Sequence, residues 1–246
     1  FCIKDSCAFL KSSLDKLLEN LPTNHKLRLR ELALTPLTEA ENAARRSTDK
    51  QEKEGFFKLA RKRFRLLERK LPFAYEWFDD LKKLDEPIET LLGDPTLFAS
   101  KLRGETRANE GDMAKCDVVF QFLREYHDLQ SERPFHIPGK YAGMLDDLGV
   151  QAPKDFSELQ ETMGMLKQTK ADLENMKTLR DIVKYFHIKT FRDLHDLYLK
   201  VDVLGLADVM ESFRTMAMKD TQLDPIQFVG LPGYGWESML TKTRPD

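Results

Sequence analysis

The 246-residue chain reads as mainly α. Apolar residues recur at helical spacing through its most regular stretch, from Thr190 to about Asp220, and do not alternate as on a half-buried strand. Charged residues make up 33% of the chain, a share that suits a protein rich in exposed helix faces. The breaks between periodic stretches carry helix-stopping residues, at Asn20 to Pro22, Pro138-Gly139 and Leu223-Asp224-Pro225.

The stretch around which the rest is organised begins at Thr190. Asp193 follows three residues on, the spacing of a capping box. Phe191, Leu194, Leu197, Val201, Leu204 and Val209 then form one apolar face, and Met210, Phe213, Met216 and Ala217 continue it. Tyr198 and Asp202, four apart, stack one turn from each other beside that face, and His195 can share their stripe. A carboxylate on a largely apolar helix is costly to bury without a partner or a metal. Taken alone, the spacing favours a solvated or ion-paired Asp202.

In chain order, residues 1 to 5 read as the end of a strand. A helix follows through Phe9, Leu10, Leu14, Leu17 and Leu18. Residues 35 to 54 have few large apolar side chains and predict a mobile connection or an exposed helix. Phe57, Ala60, Phe64 and Leu67 then make a helical stripe inside a basic run. From Arg45 to Lys70, eleven Lys or Arg stand against four acids, with Lys58, Arg61, Lys62, Arg63 and Arg65 at the core. Such a run is either a solvated helix face or a patch for a nucleic-acid backbone. Pro72 restrains Leu71 to an extended shape, so a helix should end near Lys70. Trp77, Phe78 and Leu81 read as packing.

Further on, helices are expected at residues 112–129, 155–169 and 171–185, and the central helix comes next. Glu125-Tyr-His-Asp-Leu129 echoes Asp193-Leu-His-Asp-Leu197, but two copies make no repeat array. Pro232 to Gly235 reads as a loop, and a last helix starts at Trp236.

Cys2, Cys7 and Cys116 make no disulfide framework and no zinc spacing, which favours reduced thiols in an intracellular, non-secreted protein. No run of about 18 apolar residues exists, so no membrane span is expected, and no signal peptide is visible. Phe1 in place of Met suggests a truncated or processed chain.

Four blocks carry a resemblance: Cys2 to Leu17; Arg69-Lys70-Leu-Pro-Phe73 through Glu86; Tyr198-x-x-x-Asp202 with Ala207-Asp208-Val209; and Leu223-Asp-Pro225 with Pro232-Gly233 and Trp236. In that order they resemble the segments that run from the second exonuclease motif to the polymerase link in protein-primed family B DNA polymerases. The likeness is to the organellar and viral type, found in linear plasmids and Polinton/Maverick-like elements.

The resemblance implies a mainly α piece of a ribonuclease-H-like 3′–5′ exonuclease domain, lacking most of its central sheet. Residues 1–86 would be the C-terminal half of that domain, 87–178 a variable helical insertion, and 179–246 the third-motif helix with the link toward a polymerase domain. It implies Asp202 as a ligand of catalytic Mg²⁺ and Tyr198 as the residue orienting the attacking water. Lys70 would stabilise charge on the phosphate, and Ser6 would contact single-stranded DNA. The partners implied are a DNA 3′ end, a primer-template and, for the parent enzyme, a terminal protein primer.

Three departures stand out. Cys7 replaces the Leu expected after Ser6, Gly205 replaces a bulky residue, and the first two carboxylate motifs are missing. Asp172-Leu-Glu174 lies in a Lys-rich helical stretch and Phe78-Asp79 lacks a preceding Asn, so neither replaces them. The expectation is a fragment of a DNA-directed DNA polymerase, inactive alone. A non-catalytic DNA-binding remnant and a helical interaction protein are the alternatives.

Overall fold

The computed structural model describes residues 10, 12–75, 77–93, 97, 112–128 and 135–243. Ser6, Cys2, Cys7 and the strand expected at residues 1 to 5 lie outside them. The described residues are mainly helical. The one β pairing among them is an isolated antiparallel bridge between Pro87 and Thr190. No described helix is long and apolar enough to cross a membrane. The chain divides into two compact units, Phe1–Leu71 with Asp196–Asp246, and Pro72–His195.

The first unit is built from α1 (Leu14–Asn20), α2 (Leu27–Leu34), α3 (Glu39–Arg46), α4 (Lys50–Leu67), most of α9 (Phe191–Thr221) and α10 (Leu231–Thr243). Within residues 35 to 54, α3 and the start of α4 are capped helices. Thr38 Oγ1 accepts from the Glu41 N–H, Glu41 reaches back to the Leu37 N–H, and Asp49 Oδ1 caps α4 at the Gln51 N–H. The buried stripe of α4 is Phe56, Ala60, Arg63 and Leu67, at the spacing i, i+4, i+7, i+11. The expected stripe holds at Ala60 and Leu67 and is one residue late at its other two positions: Phe57 stays 38% exposed and Phe64 is half-buried, where Phe56 and Arg63 are buried. The cause is an ion pair. Glu41 of α3 accepts from both terminal guanidinium nitrogens of Arg63, Nη2 at 2.6 Å and Nη1 at 2.9 Å, and the pair holds a cation on the inner side of the helix.

Residues 232 to 235 are not a loop. They form the first turn of α10. Proline at the second helical position removes only an N–H that has no partner within the helix. The next N–H that needs an acceptor, that of Tyr234, bonds the Gly230 carbonyl at 3.2 Å.

The second unit holds α5 (Ile88–Gly93), α6 (Met113–Asp128), α7 (Gly139–Asp147), α8 (Phe156–Phe186) and the first turn of α9. Its core joins Cys116, Val119 and Leu123 of α6 to Leu145 of α7 and to Leu159, Leu166 and Leu173 of α8. The two helices expected at 155–169 and 171–185 are one. Lys170-Ala171 contains no breaker, and Leu166, Thr169, Leu173 and Met176 keep one face buried through the join. α8 ends on His187 at φ 54°, a left-handed cap usually given to glycine. Trp77 and Phe78 pack on Phe191 with ring centroids at 5.1 and 5.2 Å, whereas Leu81 is exposed.

Candidate functional site

α9 positions the candidate residues, and its start is fixed by the expected capping box. Asp193 Oδ2 accepts from the Lys189 and Thr190 N–H groups, each at 3.0 Å, and Thr190 Oγ1 accepts from the Asp193 N–H. Partial burial pushes the Asp193 carboxyl upward. The two N–H donors and the Thr190 hydroxyl outweigh it and hold the carboxyl below its ordinary range. The apolar face then buries Phe191, Leu194, Leu197 and Val201, with Leu204 half-buried. The later stripe frays, since Ala217 is buried but Met216 is 61% exposed.

Tyr198 and Asp202 share one side of α9, within the first unit. Tyr198 is 8% exposed. The exposed Lys70 reaches it, with Nζ 6.0 Å from the ring centroid. The main chain at Lys70, just past the end of α4, is anchored where its N–H donates to Asp15 Oδ1 of α1 at 3.1 Å. α1 also lies against α9 one turn beyond Asp202. A Cβ built on Gly205 would sit 3.1 Å from Leu18 Cδ2, so the missing side chain is what admits the buried Leu18.

Asp202 is half-buried, and its Oδ1 is enclosed without a hydrogen-bond partner. A buried acceptor left bare costs about 1–3 kcal/mol, more when charged. Two turns on, Asp208 is 1% exposed and fully used. Its carboxylate accepts from the Arg28 N–H at both oxygens, from the Leu29 N–H and from Arg28 Nη1, all at 3.1–3.2 Å. Asp208 thus caps α2 from another helix. Lys26, at the N-cap position itself, offers no capping side chain and bonds Glu68 at 3.3 Å. Sequence reasoning singled out Asp208 only as part of a motif. The signal it overlooked is a helix start with no Ser, Thr, Asp or Asn at its cap.

The basic run divides. Lys58, Arg61, Lys62 and Arg65 are exposed on the side of α4 opposite its buried stripe. Arg63 does not belong with them. Its side chain is fully buried on Glu41, so it has no solvent-facing charge to offer a phosphate.

His195 lies in the second unit, packed against the rings of Phe73 and Phe78 at centroid distances of 5.9 and 5.6 Å. Among the described residues, no group of three or more His, Cys, Asp or Glu converges to hold a metal ion. Mg²⁺ demands six oxygens in near-octahedral array. The bare oxygen of Asp202 is a suitable donor, but the described donor set does not make a Mg²⁺ site.

Set against protein-family models, curated proteins and solved structures, the chain matches none.

Proposed function

We propose that this chain is part of the 3′–5′ exonuclease region of a protein-primed family B DNA polymerase. The parent enzyme copies DNA and proofreads it. In this reading the mainly α chain supplies helices of a ribonuclease-H-like domain, and Tyr198, Asp202 and Lys70 face the 3′ end of a single strand. The carrying observation is the Asp202 oxygen, shielded from solvent and given no donor, one turn from a phenol beside which a lysine stands. A fold leaves a carboxylate in that condition at a stability cost, and such costs collect where a ligand is bound.

Within the proposal, Lys70 places a cation where charge gathers on a phosphate. Tyr198, held by burial, orients a small polar group over the same face. Two-metal hydrolysis needs several acids around the scissile bond. The described residues supply one, so the chain alone should hold a strand without cutting it.

The reading is tested with a single-stranded oligonucleotide carrying a photoreactive group at its 3′ end. The peptides containing Lys70 and Tyr198 should be labelled, and unmodified 3′ ends should compete. Labelling confined to other peptides, or none, would overturn the proposal. The alternative of a DNA-binding module without catalysis is favoured by the basic side of α4, which needs no acid cluster.

A further inference from the structure

α4 has two unlike sides. Phe56, Ala60, Arg63 and Leu67 face inward, and Lys58, Arg61, Lys62 and Arg65 face out. The one acid of α4 on the outer side is Glu54, a turn before Lys58. From Lys58 to Arg65 the helix rises about 10 Å at 1.5 Å per residue, enough for these cations to meet two or three neighbouring phosphates of one strand. An aromatic edge runs beside these cations. Phe57, Arg61 and Phe64 lie at i, i+4 and i+7. Phe64 is covered by the Arg30 guanidinium at 5.6 Å from its centroid, whereas Phe57 remains 38% exposed.

We infer that the outer side of α4 binds single-stranded nucleic acid, with the four cations along its phosphates and Phe57 stacked on a base. The inference rests on the reading above that the chain handles a single strand, and it adds a second contact away from Asp202. Three features carry it. The cations match a polyanion in sign and spacing. An exposed aromatic ring beside them gives a sequence-tolerant stacking surface. The helix is capped by Asp49 and pinned on its inner side by the Arg63–Glu41 pair, so the surface is set before a ligand arrives. An anionic membrane is a poorer match. A membrane-surface helix inserts its apolar face, and that face of α4 is buried within the unit.

The test is fluorescence anisotropy of a labelled 20-nucleotide oligo-dT strand and of a duplex, in EDTA, across a salt series. Substituting Lys58, Arg61, Lys62 and Arg65 together by Gln should make the log–log salt slope for the single strand shallower by about 2, at roughly 0.7 for each of two or three phosphate contacts. Phe57→Ala should weaken single-strand binding about tenfold and leave the duplex unchanged. Circular dichroism of each variant checks that the fold is in place, as expected for exposed positions. An unchanged slope, an equal Phe57→Ala loss on duplex, or binding to phosphatidylserine vesicles in place of DNA would each overturn the inference. The 3′-end labelling reports the other site separately. Labelling at Lys70 and Tyr198 with an unchanged slope keeps that reading and removes this one. A changed slope without labelling does the reverse.

Discussion

Two carboxylates on α9, six residues apart, have opposite fates. Asp208 is sealed from water and meets donors from α2 at both oxygens. Asp202 is less deeply placed, yet one of its oxygens is shut away with nothing to accept from. Burial alone does not mark a functional acid. Asp208 is the more buried of the two, and its surroundings explain it completely as a helix cap. What sets Asp202 apart is a debt in hydrogen bonding that the neighbouring side chains leave open.

This contrast can be broken by substitution. Asp208→Ala should cost the most, about 3–4 kcal/mol in urea unfolding, because it strips the first turn of α2 of its acceptor and opens a hole in the core. A loss under about 1 kcal/mol would mean that the cap contributes little. Arg63→Ala should follow at about 3 kcal/mol, since it strands Glu41, which is 10% exposed. Replacing both Arg63 and Glu41 by Leu should recover much of that, and no recovery would show that the pair matters beyond its own charges.

The capping box is tested in acid. The Asp193 carboxyl is held low in the folded chain, so its contribution is complete above about pH 4, the ordinary aspartate value. It is lost as pH falls through the lower folded value. Asp193→Asn should therefore flatten stability against pH below about 4 and leave its slope near neutrality alone. Asp202→Asn should have the smallest effect and the opposite sign, unchanged or up to about 1 kcal/mol more stable, because an unsatisfied charge is removed. A clear destabilisation would show that the carboxylate has a structural partner and would weaken the case for a ligand.

Local signals were the legible ones. Thr190 and Asp193 announced the start of α9, and the apolar spacing located its long face, because caps and periodicity are written within a few residues. Tyr198 and Asp202 were placed on one side by the helical repeat alone. The misses at Arg63, Pro232 and Asp208 depended on distant partners or on a single residue read too strongly. Arg63 counted as a surface cation until Glu41, 22 positions earlier, drew it inward. Pro232 counted as a breaker, though a first turn tolerates it. Asp208 showed no sign of its role because the N–H groups it satisfies belong to residues about 180 positions away. No window along the chain contains both halves of such an interaction.

That tertiary cap constrains the order of folding. Residues 72 to 195 form an uninterrupted segment and can condense as soon as they leave the ribosome. The other unit is split around that segment, and the amino end of α2 waits for an acceptor that is synthesised far later. Early in translation α2 should fray, and its amide hydrogens should exchange freely until α9 arrives to close the loop.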